Sequence, residues 1–151
     1  MLIIIPVICN ITRHFGLKRF INFIDISGIM YQIEELEKWK EKPEKLVYRY
    51  SASGDKWIYL VLKKGGIAGE HYHKGLVASK NPEINIILKG KVEYYLKDLK
   101  SGKTEKFIIE APKIIKINPF VYHEIKAIEE TLFLEPFDEE AVKKDRFDLD
   151  D

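Results

Sequence analysis

Residues 65–90 read GGIAGEHYHKGLVASKNPEINIILKG, and the fold follows from how this stretch is decoded. His71 and His73 stand one residue apart in a segment read as extended. Side chains along a strand alternate faces with period two, so the two imidazoles project to one side. Glu83 opens the next apolar-alternating segment, and Gly90 ends it in a tight turn. His123 lies downstream in the segment YHEIKAI, a strand that would return beside the first. Three imidazoles and a carboxylate on neighbouring strands can hold a divalent metal and leave a position open for water or substrate. The only cysteine is Cys9, so a Cys-based zinc cluster is excluded. The set His71, His73, Glu83 and His123 suits Zn, Mn, Fe or Ni and does not choose among them. Without a metal, His71 and His73 are the candidate acid–base groups.

Outward from this stretch the chain reads as strands. LVYRYSA and KWIYLVLK flank Ser53-Gly54-Asp55, a hairpin signal. INIILKG, KVEYYLKD, EKFIIEA, KIIKINPF, YHEIKAI and TLFLEPF come after them, separated by glycine, proline and charged turns. Such a series of short strands predicts an antiparallel sandwich or barrel. Upstream, Tyr31–Lys42 shows Ile33, Leu36 and Trp39 at helical spacing, with Pro43 as a stop, and predicts a short amphipathic helix. Residues 1–29 carry no clean period. LIIIPVI there reads as a buried strand that Pro6 confines to an edge, and His14 as a plain surface or packing residue. The expected organisation is a 1–29 extension of open role, a helix within 30–45, a β-domain over 46–137, and a charged tail over 138–151. That tail is read as one short helix and a frayed acidic end.

Composition narrows the function classes. Apolar residues make up 46% and charged residues 32% of the 151, a globular balance. Lys+Arg 25 against Asp+Glu 24 gives a formal charge of +1, so no basic excess asks for nucleic acid and a small-molecule ligand is the better default. No apolar run reaches membrane-spanning length, and the opening MLIIIPVIC lacks the basic flank and cleavage site of a signal peptide. The expected setting is cytoplasmic. Cys9 is read as a small buried apolar residue.

The spacings in 65–90 resemble the first motif of the cupin superfamily: glycine, five residues, His-x-His, a gap, glutamate, six residues, glycine. Gly65, His71, His73, Glu83 and Gly90 match it. The gap from His73 to Glu83 is nine residues where the family usually has three or four, which reads as a loop insertion around GLVASKNP. The second cupin motif is matched in part by KIIKINPFVYHEI, with His123 at its end, Pro119 one position late and Phe120 where a glycine would stand. The resemblance spans roughly residues 46–136 and implies a small β-barrel or jelly roll, a metal in its wide mouth held by His71, His73, Glu83 and His123, and a homodimer.

Within that superfamily, the Gly69, His71, His73, Lys74 run and the ending LFLEPFDEEAVKKDRF look similar to sugar-modifying cupins of polysaccharide biosynthesis. The isomerase group usually has arginine before that glycine, where this chain has Ala68. The implied activity is isomerisation or epimerisation of a keto-sugar or similar polar metabolite through proton abstraction next to a carbonyl. Two other readings stay open: a non-haem metal dioxygenase using the same four residues, and a non-catalytic module that holds a small ligand.

Overall fold

A computed structural model of the chain describes residues 31, 33–52 and 54–150. The expectations for Pro6, Cys9, His14 and the 1–29 extension lie outside them. The strands are β1 (Glu37–Lys42), β2 (Lys45–Ala52), β3 (Asp55–Leu62), β4 (Ile67–His71), β5 (Glu83–Lys89), β6 (Lys91–Asp98), β7 (Thr104–Glu110), β8 (Lys113–Ile117), β9 (Val121–Ala127) and β10 (Thr131–Pro136), followed by a short helix α1 (Glu139–Val142). All ladders are antiparallel, and they form a six-stranded sheet in the order β1-β2-β3-β10-β5-β8 and a four-stranded sheet in the order β4-β9-β6-β7. This is the mainly antiparallel β-fold that the strand pattern predicts.

Period-two alternation decides which residues enter the core. On β3, Ile58, Leu60 and Leu62 turn inward; on β6, Val92 and Tyr94 do the same, and Leu96 packs against them part-buried. Ile87, Ile117, Ile125 and Phe133 complete the cluster from both sheets. The hairpin between β2 and β3 forms as expected: Ala52 pairs with Asp55, and Gly54 takes a left-handed φ of 89°.

The helix expected over Tyr31–Lys42 is not formed. Residues 37–42 are strand β1 on the outer edge of the larger sheet, paired from Glu37↔Arg49 to Lys42↔Lys45. Pro43, read as a helix stop, sits instead in the two-residue turn between β1 and β2. The sequence EKWKEK satisfies both periods because it has one large apolar residue. Nucleating so short a helix is unfavourable, whereas the strand gains a ladder and brings Trp39 against Phe137, ring centroids 5.1 Å apart. Its lysines and glutamates suit an edge, where charge discourages further pairing.

The tail does carry the short helix, α1, but the segment after it is not frayed. Asp145 is fully buried, and Phe147 pairs with Tyr72 through backbone bonds of 2.9 and 3.0 Å. No helix among the described residues is long and apolar enough to cross a membrane.

Candidate metal centre

The four sequence-predicted ligands come together between the two sheets. His71 ends β4 and pairs directly with His123 on β9, while Glu83 opens β5 in the facing sheet. One ligand atom from each of His71, His73, Glu83 and His123 lies within 4.8 Å of the others, and all four residues are buried. The Nε2 atoms of His71 and His73 are 3.1 Å apart. Glu83 Oε2 stands 3.2 Å from His73 Nε2 and 3.3 Å from His123 Nε2.

The backbone route to this convergence differs from a plain strand. The ladder register shifts between Gly69 and His71, with Glu70 at φ 62° and Gly69 at φ 83°, so a bulge re-aims the chain at the first ligand. A Cβ on Gly69 would lie 2.6 Å from the His123 carbonyl oxygen, and only glycine permits that approach. Beyond His71 the chain leaves β4. Tyr72 turns away to pack its ring 5.5 Å from Phe147, and His73 lies past the strand end. The second motif keeps a glycine-like backbone without the glycine: Phe120 adopts φ 64°, and its N–H donates to the His73 carbonyl at 2.7 Å.

The hydrogen bonds fix which imidazole nitrogens are bare. His71 Nδ1 faces the Gly69 carbonyl at 2.7 Å, His73 Nδ1 faces the Asp145 carbonyl, and His123 Nδ1 faces the Val121 carbonyl at 3.4 Å. A carbonyl only accepts, so each Nδ1 carries the proton and each Nε2 offers a lone pair. Among the described residues Glu83 Oε2 is a buried oxygen without a hydrogen-bond partner. Three bare nitrogens and one bare carboxylate oxygen thus converge with no proton between them. Such an arrangement is costly by itself and is satisfied by a cation, so the residues fit a divalent metal.

The electrostatics agree. Burial, then His123 and Arg146, lower His71 to about 3, and burial likewise lowers His123, so both imidazoles are neutral near pH 7. Burial works to raise the Glu83 carboxyl, but it is held well below the ordinary carboxylate range, with the Lys80 ammonium on its outer oxygen.

Sequence reasoning missed three supporting residues. Lys80 is 2% exposed, and its Nζ donates to Glu83 Oε1 at 3.0 Å and also to Glu135. It occupies the outer oxygen of Glu83 and leaves the inner one aimed at the histidines. Burial raises the Glu135 carboxyl to about 7, against the pull of Lys80. Asp145 accepts from the backbone N–H groups of Lys74 and Leu76 at 2.8 Å each and of Val77 at 3.3 Å. The nine-residue gap that holds the insertion is therefore pinned at one end by Asp145 and at the other by Lys80. The pairing of Lys80 with Glu83 at i, i+3 was visible in the sequence as KNPE; nothing local singled out Asp145 or Glu135. Lys74 lies with its Nζ 3.7 Å from the centre of the Phe147 ring.

A cavity of about 230 Å³ opens beside the centre. His71, Glu83, His123, Lys80, Asn85 and Glu135 contribute its polar lining, and Val47, Ile58, Leu60, Trp39 and Phe137 its apolar walls.

No known protein family matches the chain by sequence profile, and no curated protein matches it by sequence. Solved structures do. The capsular polysaccharide assembling protein CapF from Staphylococcus aureus is similar over 82% of this chain and 33% of its own, with a TM-score of 0.60 and 12% identity. A variant of oxalate decarboxylase from Bacillus subtilis is similar over 78% of this chain and 31% of its own, with a TM-score of 0.56 and 20% identity. A Vibrio parahaemolyticus protein of unknown function, VPA0057, is similar over 68% of this chain and 98% of the solved domain, with a TM-score of 0.51 and 10% identity. The chain spans about a third of the CapF and oxalate decarboxylase chains. At these identities the likeness is one of fold.

Proposed function

We propose that this chain, whose fold is that of the cupin superfamily, is a metal-dependent enzyme that isomerises or epimerises a keto-sugar or similar small polar metabolite. The observation that carries the metal is the convergence of three unprotonated Nε2 atoms on the unpartnered Oε2 of Glu83. A divalent ion held by His71, His73, Glu83 and His123 would polarise a carbonyl and favour loss of the proton beside it.

The chain's own residues divide the remaining work. The three Nδ1–H groups are committed to backbone carbonyls, so the ligating histidines orient the site and do not carry the moving proton. Glu135, in the cavity wall beside Lys80, is the carboxylate placed to exchange a proton with a bound molecule. The apolar walls exclude water from the reacting carbon. The motif's similarity to sugar-modifying cupins supports the sugar, as does the likeness to a capsular polysaccharide assembling protein.

Elemental analysis of the purified chain should find about one divalent ion per protein, lost in the His71→Ala/His73→Ala variant. The metal-loaded protein should then exchange the hydrogen α to the carbonyl of a nucleotide-linked keto-sugar with D2O. A metal-loaded protein that exchanges no such hydrogen sinks the isomerase reading. A non-haem metal dioxygenase on the same four residues is the second reading. Oxygen uptake by the iron-loaded protein separates the two. Homodimerisation belongs to the same proposal and is read by sedimentation.

A further inference from the structure

The lining of the cavity also includes Lys40, Lys45, Lys143 and Arg146. The carboxylates of the same lining are already engaged. Lys80 holds Glu83 and Glu135, while Arg49 and Lys143 hold Glu139 at 3.0 and 2.9 Å. Lys40 lies 3.8 Å over the Trp39 ring. Lys45 is left part-buried with no carboxylate at ion-pair distance among the described residues. Arg146 reaches Asp148 only at 4.0 Å across an exposed pair, which neutralises little of its charge.

Lys45 and Arg146 also act on the same small volume. Burial lowers Lys45, and the charges of Lys42 and Arg146 lower it further against the opposing pull of Glu44 and Glu70. Part-buried Lys45 and exposed Arg146 line one cavity, and an anion bound there would meet two cations that no close carboxylate neutralises. The apolar walls leave that anion room for a body of modest polarity.

We infer that the cavity takes an acidic small molecule, with a phosphate or carboxylate group between Lys45 and Arg146, its body along Trp39 and Phe137, and its other end at the metal centre. This rests on the proposed function in one respect: the substrate occupies this cavity.

The test is calorimetric titration of the full chain, metal-loaded and metal-stripped, with glucose, glucose 1-phosphate, glucuronate and glucosamine. Both anions should bind at least about tenfold more tightly than glucose, and glucosamine more weakly still, with the preference shrinking at high salt. Lys45→Met and Arg146→Met should each reduce anion affinity about three- to tenfold and leave metal content unchanged. Phosphate favoured over carboxylate, or the reverse, identifies the acidic group. Equal binding of glucose and the two anions, no measurable binding of either anion, or a preference that survives in the combined Lys45→Met/Arg146→Met variant overturns the inference. An anion preference without α-hydrogen exchange leaves this inference standing and removes the isomerase reading.

Discussion

Lys80 brings an ammonium group into a place where water does not reach, and two carboxylates keep it there. Breaking such a buried arrangement from one side leaves uncompensated charge. Lys80→Met should therefore destabilise the protein by about 3–5 kcal/mol in chemical denaturation. It should also weaken metal binding about 10- to 100-fold in competition with a chelator, because Glu83 loses the partner that fixes its outer oxygen. Adding Glu135→Gln removes the surplus negative charge and should recover stability without recovering metal affinity. A folded Lys80→Met protein with unchanged affinity refutes this role. Gly69 makes a separate test of how tightly β4 lies on β9. Gly69→Ala must adopt φ near 83° with its methyl 2.6 Å from a backbone oxygen, and should cost on the order of 3 kcal/mol. Gly102→Ala is the control. Its φ of 74° is similar but nothing lies within 4 Å, so only the backbone preference, about 1 kcal/mol, should appear. Equal losses at the two positions would show that the approach to His123 is not tight.

At the scale of elements, most strands of the two sheets were legible because apolar alternation is a local signal, and His71, His73 and Glu83 because their spacing is nearly local. Glu83 is the case where local reading strained: nine residues separate it from His73, yet it reaches the centre because the insertion folds back and is held. Edge strand β1 was misread because one tryptophan among charges fits a helix and a strand alike, and the choice is made by Phe137, far away in sequence. The role of Asp145 had no local sign at all, since its hydrogen-bond partners lie 68 to 71 residues upstream and its composition matches a solvated tail. That long-range clasp is testable. Asp145→Ala removes the acceptor of three backbone N–H groups and should cost about 3 kcal/mol, since bonds to a charged acceptor are worth more than neutral ones but do not add fully. Hydrogen exchange at the amides of Lys74, Leu76 and Val77 should accelerate, and metal should bind more weakly as His73 loses its setting. Asp145→Asn keeps the shape and one good acceptor, so it should retain part of both. Unchanged protection at those three amides in Asp145→Ala would refute the clasp.

Across the whole molecule the charges nearly cancel near pH 7, at +1, so overall repulsion starts small and the buried groups set the first response as pH falls. In the metal-stripped protein these groups oppose one another. His71 titrates near 6.5 when unfolded and at about 3 when folded, held down first by burial. Its contribution to stability is therefore full above 6.5 and is lost as pH falls toward 3, because the unfolded chain takes up the proton first. His123, lowered by burial, acts in the same direction. Glu83 adds to the loss below its ordinary 4.5, since its folded carboxyl resists protonation until lower pH. Glu135 runs the other way. Burial raises it from 4.5 to about 7, so the folded state takes up its proton first and gains stability as pH falls through that window. Between 6.5 and 4.5 Glu135 offsets part of the loss from the two histidines, and below 4.5 only the destabilising effects remain. Thermal unfolding of the metal-stripped protein should therefore show a shallow dependence in the upper window and a steep fall in the lower one. Glu135→Gln removes the opposing group, so its loss of stability should begin as pH drops below about 6.5. A wild-type curve that already falls steeply in the upper window, or one that Glu135→Gln leaves unchanged, would mean that Glu135 is not the buried counterweight to the histidines.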